Sequence, residues 1–329
     1  MLLRDADPAE IDQILSHTHA LWSDGLEPAA YREFIATLMA SDWAKEGGGN
    51  YRFLVLADEA TGEVAAATKL YRFAARLDGD LVPVGGVGAV FTLPHARRRG
   101  HAADLISQAH TIMAGRGDVL SLLYSEIGAG YYARLGYREL APHAVRIQVP
   151  ERGRPAAGLR PMHRGELDEV VRIREKEDAA ASFCLARDHA CWKYLLARAS
   201  YPTLHLGREI WEKRLMLAEG GSGYLWAHFG KDHLGAGARL LEFGERAPGA
   251  ALTALLDDLF DECRRRGVAE VEAWLPPALA ERDPRLCGAL VAPVEPSPVV
   301  PMWFPLDREA AADLERHASA AALHLTDVF

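Results

Sequence analysis

The chain has 329 residues, 49% of them hydrophobic and 25% charged, with a formal net charge of −9. That length suits about two domains, and the composition excludes a disordered chain or a fibrous repeat. The net acidity argues against a nucleic-acid binder that relies on a basic surface.

Leu2, Leu3 and Arg4 read as a strand before Asp7-Pro8, a cap and first-turn pair. Ile11, Ile14, Leu15 and Thr18 then recur at helical spacing. The acids Asp5, Asp7, Glu10 and Asp12 stand where a secretory leader needs an apolar core. A second helix starts near Glu27-Pro28 and ends before Gly47-Gly48-Gly49. Tyr51–Ala57 is an apolar strand, and Glu63–Arg76 with Leu81–Thr92 forms a hairpin about Asp78-Gly79-Asp80. The uncharged run from Leu81 to Ala96 is broken by Pro83, Gly85, Gly86, Gly88 and Pro94 and falls short of the roughly 20 apolar residues of a membrane helix. No membrane partner is expected, and the cytosol is the expected compartment. Beyond Pro94 the period turns helical, with Ala102, Leu105, Ile106, Ala109 and Met113 on one face. Val119–Tyr124 is a strand, Gly130–Leu135 a short helix stopped by Gly136, and Tyr137–Val149 a further strand.

PERGRPAAG, residues 150–158, reads as a linker between domains at 1–149 and 159–329. After it, LRPMHRGELDEVVRI echoes the opening LRDADPAEIDQIL, and the echo continues. A helix is expected over Asp188–Ala197, a hairpin over Tyr224–Phe229 and Gly235–Phe243, a helix over Ala250–Arg266 with Leu252, Leu255, Leu256, Leu259, Phe260 and Cys263 on one face, and a strand from Ala269 to Leu275. The same order of elements twice suggests a duplicated unit. Cys184, Cys191, Cys263 and Cys287 form no CxxC pair and no zinc spacing, so reduced, buried thiols and no metal are expected.

The strongest chemical signal is GGVGAVFTLPHARRRGHAADLI, from Gly85 to Ile106. A strand runs into Arg97, Arg98, Arg99, Gly100, His101 and Ala102, where a helix begins. Backbone N–H groups converge at such a turn, and the helix dipole adds positive charge. Gly100 and Ala102 let a bulky anion approach the main chain, and three arginines supply permanent charge. Cations at a helix start oppose the dipole, so a purely structural role for the run is disfavoured. The segment reads as a pyrophosphate cradle.

Val90-Phe91-Thr92-Leu93-Pro94 followed by Arg97-Arg98-Arg99-Gly100-His101-Ala102 resembles the acetyl-CoA signature R/Q-x-x-G-x-G/A of the GNAT superfamily of N-acyltransferases. Tyr131-Tyr132-Ala133-Arg134-Leu135-Gly136-Tyr137 is similar to the family's F-Y-x-x-L-G-F element. LYSEIG at 123–128, GVGAVFTLP and LWSDGLEPAAYREF resemble the fungal lysine N-acetyltransferase subgroup, although Glu126 stands where that subgroup favours Asp. The tandem layout is more distantly similar to the aminoglycoside-acetylating "enhanced intracellular survival" group, but has no room for that group's additional C-terminal domain.

The resemblance implies an α/β (α+β) protein of tandem GNAT folds, each a mixed, mostly antiparallel sheet flanked by helices, with a degenerate second copy. It places pantetheine against the main chain of Val90, Phe91 and Thr92, where a backbone N–H also faces the oxyanion. It places the pyrophosphate on residues 97–102, and Ser125 on the coenzyme side. Gly85, Gly86 and Gly88 suit a bulge or close approach in this strand. Acetyl-CoA is the implied donor.

Amide formation requires the attacking ammonium to lose a proton and the departing thiolate to gain one. Tyr132, a phenol, suits the second task, with Tyr131 expected in the core. For the first task no carboxylate lies between Gly85 and Thr92. Glu126 is the best-placed acid, with a surface role or a water relay as alternatives. Trp22, Asp24 and Glu27 either receive a cationic amine or serve as core and cap. The second half has the single Arg246 and Pro248 where the first has its cradle, so it is expected to bind no coenzyme and to shape the acceptor side. The expected activity is acetyl transfer to a primary amine of a small molecule, such as an amino acid like lysine or an amine antibiotic or toxin. The alternative is a non-catalytic acyl-CoA sensor.

Overall fold

The computed structural model describes residues 1–140, 144–153, 159–231, 237–275, 281–287, 299–317 and 321–324. The chain divides into two units, Met1–Leu140 with the segment from Val299 to Ser319, and a second centred on Ala141–Pro298. Among the described residues no helix is long and apolar enough to cross a membrane.

In the first unit, β1 (Leu2–Asp5) leads into α1 (Pro8–Trp22), which starts where the sequence signals it. Asp7 accepts the Glu10 N–H at 2.8 Å, and Glu10 accepts the Asp7 N–H at 2.9 Å, closing a capping box. α2 (Pro28–Ala40) and the short α3 (Asp42–Lys45) follow. Next come β2 (Tyr51–Ala57), the long hairpin of β3 (Val64–Leu77) and β4 (Asp80–Thr92), α4 (His101–Gly115), β5 (Leu120–Ser125), α5 (Gly130–Ala133) and β6 (Arg138–Glu139). β14 (Val300–Pro305) and a last helix (Arg308–His317) complete the unit. The strands lie in the order β1-β2-β3-β4-β5-β14-β6, with β4 and β5 parallel and their neighbours antiparallel.

α4 buries Leu105, Ile106, Ala109 and Met113 against Leu70, Val87 and Leu123 of the sheet. The leucine, isoleucine and methionine side chains each contribute roughly 1.5–3 kcal/mol. Gly85 permits this contact, because a Cβ there would lie 2.5 Å from the Met113 sulfur.

The second unit holds β7 (Ala144–Gln148), β8 (Leu159–Pro161), α6 (Leu167–Asp178), β9 (Phe183–Ala186), α7 (His189–Leu206), β10 (Trp211–Ala218) and β11 (Gly223–Gly230). β12 (Ala238–Glu245), α8 (Leu252–Arg265), β13 (Glu270–Trp274) and α9 (Pro284–Cys287) follow. Its sheet runs β7-β13-β12-β11-β10-β8, with β12 and β13 parallel. α8 buries the expected face of Leu252, Leu255, Leu256, Leu259, Phe260 and Cys263. Cys184, Cys191 and Cys263 are buried free thiols.

Three local expectations change. The single strand over Tyr137–Val149 is two short ones, Arg138–Glu139 against β14 and Ala144–Gln148 against β13 in the other sheet. The alternation of Val145 and Ile147 with Arg146 and Gln148 specifies a face to bury, not the sheet that buries it. α7 runs past Ala197 and through Pro202, whose buried ring is packed although it offers no N–H to the helix. β9, β10, β14 and the last helix had no counterpart among the elements expected from the sequence. Most of the 150–158 linker and of the turn joining β11 to β12 lies outside the described residues.

Candidate active site

The site begins with an irregular strand. On the β3 side, Lys69 pairs with Gly88 and Ala67 with Phe91, so β4 carries one residue more than its neighbour. This is a β-bulge, and Ala89 at its centre has φ 49°. The glycines of the strand do not carry the bulge; the alanine takes the left-handed conformation at a cost of about 1–2 kcal/mol. Thr68, buried opposite, donates its hydroxyl hydrogen bond to the Gly88 carbonyl at 2.9 Å. On the β5 side the parallel ladder ends at Val87 and Leu123. Beyond that point β4 and β5 separate, leaving the main chain of Gly88–Thr92 outside this ladder.

The strand then turns into α4. Arg98 has φ 62° and Gly100, the residue before the helix, has φ 84°. Left-handed residues at this turn form a concavity of N–H groups, and no side chain of this turn caps the helix start. The first N–H groups of α4 have no intrahelical partner. Arg97, Arg98 and Arg99 are exposed around them. Arg97 lies 5.7 Å from the Phe91 ring centre and donates from Nε to the Thr92 carbonyl at 3.3 Å.

A cleft of about 320 Å³ joins these parts. Val90 and Thr92 line it from β4, and Arg97, Arg98, Gly100, His101 and Ala102 from the turn and α4. Tyr132 forms the wall from α5. Burial pushes the Tyr132 phenol up to about 12, and the nearby Tyr131 and Glu126 act in the same direction. At neutral pH it is therefore an acid holding its proton.

The other expected residues fall elsewhere. Phe91 points away from the cleft by strand alternation, with the Trp22 ring edge-on at 6.5 Å and His17 stacked at 6.1 Å. Trp22 therefore meets the cleft's strand from its opposite face. Arg99 and the exposed Glu126 do not line the cleft, although the charge of Glu126 reaches Tyr132. Ser125 is buried and donates to the Gly128 carbonyl at 2.6 Å, which shapes the loop before α5. Tyr131 corrects an expectation. It is half-buried, lines the cleft beside Tyr132, and meets that ring edge-on at 5.1 Å, with Arg134 5.9 Å from its own ring centre. Ile127 also lines the cleft and is 72% exposed. Its signal in the sequence was a large apolar residue between polar Glu126 and Gly128.

The second unit repeats this geometry with different chemistry. β12 has its own extra residue, Leu241, since Ala227 pairs with Leu240 and Trp226 with Glu242. Glu242 is buried, accepting from Arg187 at 2.6 Å and from the Tyr224 hydroxyl at 2.6 Å. The start of α8 is filled by the buried Glu245 carboxylate. One oxygen accepts the N–H groups of Ala251 and Leu252, both at 2.7 Å, and the other accepts Gly249 N–H at 3.0 Å.

The family described as an acetyltransferase (GNAT) domain matches residues 3–140. No curated protein matches the sequence significantly. Among solved structures, a GCN5-related N-acetyltransferase from Kribbella flavida aligns with a TM-score of 0.63 at 19% identity, over 94% of this chain and 72% of that one. Eis1 from Mycobacterium abscessus gives 0.55 at 21% identity, over 95% and 75%. The Saccharomyces cerevisiae N-myristoyltransferase with bound myristoyl-CoA gives 0.56 at 9% identity, over 92% and 78%. Identities this low establish a shared fold, while the family match covers the stretch that holds the bulge, the cradle and Tyr132. Residues 3–140, which hold this site, match the acetyltransferase (GNAT) domain family, a family of acyltransferases.

Proposed function

We propose that the first unit moves an acetyl group from acetyl-CoA to a primary amine of a small molecule. The observation that carries this reading is the cleft itself, with an uncapped, arginine-rich helix start at one end and a protonated phenol in its wall. The N–H groups around Gly100 and the Arg97 and Arg98 guanidinium groups hold the pyrophosphate. The free main-chain edge of Val90–Thr92 holds the pantetheine amides and gives an N–H to the carbonyl oxygen as negative charge develops there. The acceptor nitrogen, after losing a proton, forms its bond to the acyl carbon as the carbon–sulfur bond breaks. Tyr132 gives its proton to the departing sulfur, and solvent restores it. Glu126, close enough to influence Tyr132, is the candidate to take the ammonium proton directly or through water.

The second unit, in this reading, is a degenerate copy that binds no coenzyme, because Glu245 occupies the helix start where an anion would sit. The acyl-CoA sensor remains the second reading, favoured by the absence of a carboxylate between Gly85 and Thr92. A thiol-release assay with acetyl-CoA over a panel of amino acids, polyamines and aminoglycosides tests both. Amine-dependent thiol release is the expected result. Acetyl-CoA binding by calorimetry without turnover of any amine would leave the sensor, and no acetyl-CoA binding would overturn both.

A further inference from the structure

Behind Tyr132 lies a buried polar group that the transfer chemistry does not use. Tyr137 follows Gly136 at the end of the α5 turn and is 3% exposed. Its hydroxyl lies 2.8 Å from Ser121 Oγ on β5 and 2.9 Å from His110 Nε2 on α4. Its ring meets the Tyr132 ring edge-on at 5.9 Å, and its N–H donates to the Tyr132 carbonyl at 3.1 Å. His110 in turn stacks on Phe304 of β14, with ring centres 4.0 Å apart.

We propose that Tyr137 is a positioning residue for Tyr132, its hydroxyl clamped between Ser121 and His110 so that the phenol faces the cleft at a set angle. This rests on the reading of Tyr132 as the acid. A phenylalanine would fill the same volume without burying a hydroxyl, which costs free energy unless its hydrogen bonds are made. Here the buried Ser121 and Tyr137 hydroxyls and the half-buried His110 ring hydrogen-bond in a chain. Burial holds His110 neutral, down at about 4. It therefore offers one donor and one acceptor, as do Ser121 and Tyr137, and the chain closes in either direction. The clamp joins three elements that the reaction needs in register: α4 carries the cradle at its start, β5 bounds the splay, and α5 carries Tyr132. A hydrogen-bonded network of this kind rigidifies its surroundings.

The test is a double-mutant cycle of Tyr132→Phe and Tyr137→Phe, read as kcat and acetyl-CoA KM, with melting curves alongside. Tyr137→Phe alone should lower kcat on the order of ten- to a hundredfold, the cost of misplacing a reacting group. Its acetyl-CoA KM should stay within about twofold, since ground-state binding is untouched. In the Tyr132→Phe background the same change should cost nothing further. An equal loss in both backgrounds, or unchanged kcat in the single variant, overturns the positioning role. Normal turnover of Tyr132→Phe alone would instead remove the acid reading, and the inference with it. Should Tyr137→Phe melt below the assay temperature, Ser121→Ala and His110→Gln enter the same cycle, each leaving the hydroxyl one partner.

Discussion

Two helices in this chain start after a bulged strand, α4 in the first unit and α8 in the second, and their starts are built in opposite ways. The turn into α4 places Arg98 and Gly100 in left-handed conformations and leaves the first N–H groups uncapped by any side chain of the turn. The turn into α8 brings back the Glu245 carboxylate, which accepts three N–H groups. Both solve the same problem, unpaired donors and a positive dipole end. The second unit solves it internally and gains stability. The first leaves it open, which favours an anion from outside. The same fold therefore leaves one helix start open and seals the other, according to where one carboxylate stands.

The proposed function assigns chemistry to the first unit alone, and the largest expected effect tests that. Tyr132→Phe should reduce turnover by roughly 10²–10⁴-fold, as expected for loss of a general acid. Acetyl-CoA affinity by calorimetry should change little, because the pyrophosphate contacts lie on another turn. Since Tyr132 is pushed up to about 12, the wild-type kcat should not fall on the alkaline side through loss of this proton between pH 8 and 10.

A second experiment separates the units by pH. His110 is held down at about 4 by burial, while the unfolded chain protonates near 6.5. Between those values the unfolded state binds more protons, so stability falls as pH drops from 6.5 towards 4. The share from His110 is roughly 3 kcal/mol at pH 4. In the second unit His324 is also held low, by burial first and then by Arg174, whose guanidinium donates to it at 2.7 Å. Melting curves of His110→Asn against pH should lose the first unit's part of the acid sensitivity and retain the second's.

The two helix starts can be attacked directly. Gly100→Val forces a β-branched residue to φ 84° in the turn that lines the cleft. Acetyl-CoA affinity should fall roughly 10- to 100-fold, in line with about 1–3 kcal/mol of backbone strain. Unchanged affinity would break the comparison at its first term. Glu245→Ala leaves buried N–H groups without their acceptor and should destabilise the protein by about 1–3 kcal/mol in chemical denaturation. Acetyl-CoA affinity should remain that of the wild type. A second coenzyme equivalent bound by Glu245→Ala would sharpen the comparison further, by showing that the carboxylate alone closes the second site.

Much of the site was legible in order along the chain. Asp7 and Glu10 announced α1, the Asp78-Gly79 turn announced the β3–β4 hairpin, and Arg97 to Ala102 announced the turn into α4. Tyr132 was separated from Tyr131 by helical facing, yet both line the cleft because α5 is a single turn lying along it. The glycines of β4 pointed to an irregular strand, but Gly85 serves the contact with Met113 and the bulge falls on Ala89. A bulge is chosen by the pairing of two strands and the hydrogen bond from Thr68, neither of which is local to Ala89.

Caps, turns and apolar periods act over about four residues, and for that reason the sequence alone determined most elements of the first unit up to Tyr124, the repeated plan and the arginine-rich helix start. Partner choice acts across the whole chain. Ala144–Gln148 pairs with β13, and Val300–Pro305 pairs with β5 and β6, although each is a short alternating or apolar run suited to either sheet. Glu245 stood in plain view, but its meaning depended on the chain folding its carboxylate back onto Ala251 and Leu252. The Ser121–Tyr137–His110 clamp likewise draws on three elements. These features belong to the tertiary structure because their energy comes from desolvated groups meeting at long separation, which no short window of sequence contains.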